Sequence, residues 1–341
     1  MKYVLVAAGV IIILAACSHH NTTVNSKMSY GSEKATITTQ ADTGRTVRGP
    51  LAIAPQVPNV MKGDTVDVKF DVTHGLVEVA KDIFSTAWMF GSSVPGPVLR
   101  VVVGQTVRFS MTNRSNDTMK NMSIPMNMTP MPHSIDFHSA MVNPEDKYRS
   151  INPGETIHFS WTANYPGVFM YHGGSATALM DMIAGMVGMV IVEPKDGYPG
   201  NATRQFVLIQ NEYYLQKQGN GNAPDTTLAL KKTPSYVTFN GMAAQYMAHP
   251  LHVKAGERVR LYVLNAGPNN ATSFHVTGTI LDRVWLDGNP KNELNGLQSV
   301  YLGPASGAVI EFIVPEKGTY TFVDQSFADA TMGAIGAFLA E

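Results

Sequence analysis

Leu99-Arg-Val-Val-Val-Gly-Gln-Thr-Val-Arg108 returns 152 positions later as Leu251-His-Val-Lys-Ala-Gly-Glu-Arg-Val-Arg260. Two further segments repeat in the same order. Gly167-Val-Phe-Met-Tyr171 returns as Gly318-Thr-Tyr-Thr-Phe322 at an offset of 151, and Gly185-Met-Val-Gly188 as Gly333-Ala-Ile-Gly336 at 148. A period of about 150 residues is a whole domain, so the chain is one domain duplicated and not a solenoid of short repeats. The repeated unit reads as strands. Val66, Val68, Phe70 and Val72 alternate with polar residues, the pattern of a half-buried strand. Turn signals such as Pro95-Gly96, Pro153-Gly154 and Pro166-Gly167 separate the apolar runs, and helical periodicity is scarce. The expectation is an all-β protein of two tandem β-sandwich domains, 62–196 and 201–341. They join in Lys195-Asp-Gly-Tyr-Pro-Gly200.

Composition narrows the function. Of 341 residues, 44% are hydrophobic and 15% charged, which excludes a mostly disordered chain. A net charge of −1 argues against nucleic acid as a partner. The single cysteine excludes internal disulfides, iron–sulfur clusters and cysteine-rich zinc sites. That cysteine, Cys17, closes Leu14-Ala15-Ala16-Cys17 after the apolar run Val4 to Ala16. The run is short for a membrane span and suits a signal-peptide core, residues 1–16. The box resembles a bacterial lipoprotein cleavage site, which implies lipidation at Cys17. Ser18 in the next position favours the outer membrane of a Gram-negative cell, facing periplasm or surface. Residues 17–61, rich in Ser, Thr, Asn and Gly, read as a flexible tether.

The chemistry clusters in the first domain. Met131-Pro-His133-Ser-Ile-Asp136-Phe-His138 reads as a strand, on which Asp136 and His138 share a face and His133 points the other way. In Tyr171-His172-Gly173-Gly174, neighbours again face opposite sides. Two sites lie back to back on this reading: one with His133 and position 173, the other with His138, His172 and Asp136. The remaining histidines carry less weight. His158 reads as an exposed strand residue, His249 and His252 flank Pro250, and His74 reads as a turn residue.

Pro132-His-Ser-Ile-Asp-Phe-His138, Pro166-Gly-Val-Phe-Met-Tyr-His172, Gly185-Met186 and Val192-Glu-Pro-Lys-Asp-Gly197 resemble the copper-containing nitrite reductases. So do Phe206-Val-Leu-Ile-Gln-Asn-Glu-Tyr-Tyr214, Val237-Thr-Phe-Asn-Gly241, Asn265-Ala-Gly-Pro-Asn269, Ser273-Phe-His275 and Phe322-Val-Asp-Gln325. The likeness runs in order from about Thr65 to the C-terminus and is similar to the lipoprotein-anchored outer-membrane branch. It implies two cupredoxin-like Greek-key sandwiches, a homotrimer, copper as cofactor and one-electron reduction of nitrite to nitric oxide. It also implies a role for particular residues. The type 2 copper that binds nitrite would take His138 and His172, with Gln325 of a neighbouring subunit at the third ligand position. Asp136 and His275 would be the acid–base pair. The type 1 copper that receives electrons would take His133 and Met186.

The same resemblance shows where this chain departs from the pattern. Gly173 stands at the type 1 cysteine position and Asp181 at its second histidine. No other cysteine can supply the thiolate that type 1 copper requires, which speaks against a normal type 1 site. Gln325 is a weaker ligand for Cu(II) than imidazole. The 19 methionines crowd both histidine segments, with Met119, Met122, Met126, Met128, Met131 and Met141 at the first and Met180, Met182, Met186 and Met189 at the second. Thioethers suit Cu(I), so His133 with Met182 or Met186 is a candidate cuprous site; Met also fills irregular cores. Three readings stay open: a nitrite reductase with an unnamed electron donor, a non-enzymatic copper-handling lipoprotein, and a structural paralogue. A laccase-type centre is disfavoured, because the sequence holds no His-x-His pair.

Overall fold

The computed structural model describes residues 55–118, 129–175, 177–219 and 221–341, and the backbone of 36–38. Signal peptide, Cys17 and the methionines at 119, 122, 126 and 128 lie outside the described residues. The protein is built from strands, with a few helices of four to six residues. In the first domain a sheet of seven strands runs 215–218, 221–224, 83–90, 65–80, 106–113, 156–162, with 36–38 added on 65–80. It packs on a four-stranded sheet in the order 99–102, 187–193, 167–172, 136–137. The second domain repeats the arrangement with sheets of six and five strands.

Alternation decides what is buried. Strand Thr65–Ala80 turns Val66, Val68, Phe70 and Val72 inward, where they meet Phe109, Phe137, Tyr171, Val190 and Val192. Strand Val187–Glu193 is buried along its whole length, because its two faces serve two cores. Val190 and Val192 fill the first sandwich, whereas Val187, Met189 and Ile191 pack against Val207, Ile209, Tyr262, Trp285 and Val309 of the second domain. A strand covered on both faces reads as an unbroken apolar run, as Met186-Val-Gly-Met-Val-Ile-Val192 does. Arg100 ties the domains where the apolar seam ends: it pairs with Glu193 at 2.7 Å and donates to Gln205 at 3.1 Å.

Two expectations change. The tether reading of 17–61 ends too late. Thr36–Thr38 pairs in parallel with Asp67, Val68 and Lys69. Pro55 accepts from Val207 N at 2.9 Å, and Met61 is buried in the first core. The apolar Pro55-Gln-Val-Pro58 stretch gains burial by lying on the fold, which outweighs its composition as a linker. In the other direction, hairpin 215–224 of the second half pairs Asn222 with Ser85 and so extends the first domain's sheet.

The repeat can be placed bond by bond. Gly173 N donates to Met186 O at 3.0 Å, as Asp324 N does to Ala334 O at 3.1 Å. Met186 N donates to Asp181 O at 2.9 Å, as Ala334 N does to Asp329 O at 3.0 Å. Positions 173, 181 and 186 therefore correspond to 324, 329 and 334. Gly185 and Gly333 end the two short helices with φ of 111° and 122°, the region in which a side chain is strained.

Candidate metal centre

Strand Gly167–His172 carries one site on each side of its C-terminal end. On the outer side, antiparallel pairing sets Asp136 opposite His172, so the two side chains share a face. His138 follows two residues on, its N–H bonded to Met170 O at 3.0 Å. The Nε2 atoms of His138 and His172 stand 3.1 Å apart, and Asp136 Oδ2 lies 3.9 Å from His172 Nε2. One donor atom from each of the three falls within 4.8 Å of the others. Nδ1 of His172 bonds Gly173 O at 2.8 Å, which orients the ring and leaves Nε2 facing its partner. Tyr148 braces this edge by donating to Phe137 O at 3.0 Å. Burial and the His172 ring hold His138 below the usual imidazole range, against an opposing pull from Asp136. Two imidazole nitrogens 3.1 Å apart with a carboxylate beside them are donors that suit copper, so these residues fit the metal.

The inner side is buried. A bridge between His133 and Ile151 pins the backbone, and Asn113 holds Met131 O and Ile151 O at 2.8 and 3.0 Å. His133 is fully buried. Its Nε2 shares a hydrogen bond of 2.7 Å with Nε2 of His74, and the Trp88 ring packs on both imidazoles, 5.3 and 5.6 Å away between centroids. Burial, reinforced by His133, lowers His74 to about 3. The other nitrogen, Nδ1 of His133, lies 3.8 Å from Asp181 Oδ1 and makes no hydrogen bond among the described residues. Asp181, on the short helix Ala178–Ile183 capped by Thr177, is buried; its Oδ2 accepts from Ser175 N at 2.7 Å and Ser175 Oγ at 2.8 Å.

His74 corrects the sequence reading. It is no turn residue; it sits inside strand Thr65–Ala80 on the buried face. The alternation Val66, Val68, Phe70, Val72 continues to position 74, and this signal was there to be followed. Gly75 breaks nothing, because the strand runs on through it. Met186 packs in the first core, but Met182 turns to the interdomain core. Met141 is exposed. His158, His249 and His252 are exposed, the last 3.2 Å from Glu341.

His275 and Gln325 belong to the second domain. His275 pairs with Val323 in the ladder of strands Thr272–Val276 and Gly318–Asp324, which Gln325 N extends by donating to Ser273 O at 2.9 Å. Pairing puts His275, Ser273, Val323 and Gln325 on one face of that ladder. Nδ1 of His275 bonds Gln298 O at 2.5 Å. Since 323 corresponds to 172, His275 is the second-domain counterpart of Asp136.

A family profile described as "Multicopper oxidase" matches residues 71–197 and 223–341. A copper-containing nitrite reductase of Neisseria meningitidis is 34% identical over 297 residues, 84% of this chain and 73% of that protein. Among solved structures, copper nitrite reductase from Nitrosomonas europaea superposes with a TM-score of 0.72 at 38% identity, covering 81% of this chain and 94% of that one. The copper-containing nitrite reductase of Thermus scotoductus gives 0.71 at 30% identity, covering 81% of this chain and 62% of that one.

Proposed function

This chain belongs to the copper-containing nitrite reductase family, and from that premise we propose that it binds copper at His138 and His172 and reduces nitrite there. The reading rests on one observation: two imidazole nitrogens 3.1 Å apart, with a carboxylate beside them, on an accessible edge. The reaction takes one electron and two protons, NO₂⁻ + 2H⁺ + e⁻ giving NO and water. Copper bound there would polarise nitrite and pass it the electron. The chain's own groups supply the rest. Asp136 lies close enough to the metal position to hold a proton on the nitrite oxygen that leaves as water. His275, on the second-domain ladder, would serve as its partner. Gln325 of a neighbouring subunit would complete the ligand set in a homotrimer, as a weak amide donor.

With no thiolate in the folded part, the electron would arrive at the His138–His172 edge directly from an external one-electron donor. Lipidation at Cys17 would place the enzyme at the outer membrane.

The test is copper per chain on reconstituted protein, an EPR spectrum of the same sample, and nitric oxide release with an artificial donor. About one copper per chain with a type 2 signal, and nitric oxide that requires nitrite and donor together, is the expected result. Copper that His138→Ala and His172→Ala leave in place, or EPR-silent copper, would refute the site. Copper without nitric oxide would refute the activity. Gln325→His should raise copper affinity; no rise would place Gln325 away from the metal.

A further inference from the structure

The family's second copper needs a place, and the inner side of the first domain does not fit it. We infer that Asp181 closes this position as a metal-free hydrogen-bonded plug of the kind found in the second domain. Two substitutions, Gly173→Cys and Asp181→His, would reopen it to blue copper. The inference rests on the family membership and concerns the inner position alone.

Four observations carry it. A Cβ built on Gly173 would lie 2.8 Å from Asp181 Cβ and 2.9 Å from Asp181 Oδ2, so a thiolate at 173 needs both the carboxylate removed and the short helix that carries position 181 to give by a few tenths of an ångström. One carboxylate oxygen is already taken by both Ser175 donors. The far nitrogen of His133 is held by His74, a residue buried beneath Trp88. That leaves Nδ1 of His133, the other carboxylate oxygen and the Met186 thioether as donors, without the soft anion that makes a blue site.

The fourth observation is the repeat. Asp181 corresponds to Asp329 and Gly173 to Asp324, both of which are buried carboxylates. Asp324 accepts from Ser273 N, Ser326 N and Gln210 Nε2 at 3.1, 2.9 and 3.1 Å. Asp329 accepts from Asn270 Nδ2. One scaffold thus carries buried carboxylates at the same place in both domains. At this inner position the first domain keeps His133 and Met186 where the family's type 1 ligands stand.

The experiment uses the full chain with His138→Ala and His172→Ala, which removes the outer site and isolates the inner one. Loaded with Cu(II) and then, separately, with Zn(II), this background should retain less than about a tenth of an equivalent of either. Adding Gly173→Cys with Asp181→His should raise copper to about one per chain and bring in the intense visible absorption of a Cu(II)–thiolate. Gly173→Cys alone should stay colourless, because Asp181 still fills the space. Circular dichroism reports whether each variant folds. A folded double variant without colour would overturn the inference. So would stoichiometric metal on the background that Asp181→Asn removes, and this reading stands even if the double variant fails to fold. Failure of the outer copper in the wild-type protein would refute the proposed function and leave this result unaffected.

Discussion

Strand Gly167–His172 with its following helix, and strand Gly318–Asp324 with its own, share a backbone and differ in what they do with it. At the outer face the first domain offers His172 opposite Asp136, and the second offers Val323 opposite His275. At the inner face the first holds one carboxylate fed by Ser175, and the second holds two. The domains have diverged on the surface and resemble each other inside. On the proposed function, metal chemistry is accordingly a property of one face of one strand end, while buried polar networks lie beneath it in both copies.

The comparison breaks most sharply at position 172. His172→Val gives the first domain the residue that the second already has. It should lower copper affinity by at least about a hundredfold in a chelator competition, with a stability change within about 1 kcal/mol. Unchanged affinity would mean that copper binds somewhere else.

Asp181→Ala is expected next in size. It strips a buried acceptor from two Ser175 donors and leaves His133 Nδ1 facing a small void. A cost of about 3 kcal/mol in denaturant unfolding follows from unsatisfied buried groups. A loss below about 1 kcal/mol would mean that the Asp181 carboxylate contributes little to the inner face.

Much of this was legible before any coordinates. Three repeats at a near-constant offset gave the duplication, because equal domains conserve the spacing of their strands. Strand alternation sorted His133 from Asp136 and His138, because neighbouring side chains must face opposite sides. His74 shows the competing signals: a histidine beside glycine reads locally as a turn, although the alternation from Val66 to Val72 runs on to it and the pairing of Thr65–Ala80 with Ile83–Phe90 holds the strand straight through it. The role of Asp181 was equally hidden, since a six-residue helix leaves almost no periodicity. Which domain hairpin 215–224 joins depends on tertiary pairing that composition does not encode.

Asp136 and His275 are counterparts, and the pair sharpens the comparison in kinetics. Asp136→Asn keeps the shape and removes the proton. Nitric oxide release should fall by about a hundredfold while copper per chain stays constant. A variant with normal turnover would assign proton delivery to His275 or to solvent; one that lost copper would make Asp136 a ligand.

The smallest effect lies in the second domain, where the inner carboxylates stand together. Burial, with Asp324 adding to it, raises Asp329 to about 6. The folded protein therefore holds this proton more tightly than the unfolded chain does. Its contribution to stability is complete only below the ordinary value of 3.8 and is lost as pH rises through about 6. The full shift is worth about 3 kcal/mol at 1.36 per unit, and solvent screening reduces it to about 1–2. Asp329→Asn keeps an acceptor for Asn270 and carries no charge at any pH. Stabilities of variant and wild type from urea unfolding should coincide near pH 3 and separate by about 1–2 kcal/mol at pH 7, with the variant the more stable. Parallel curves across that range would show that burial and Asp324 together do not raise Asp329 in the folded protein. The second domain's inner carboxylates would then contribute no pH dependence to its stability.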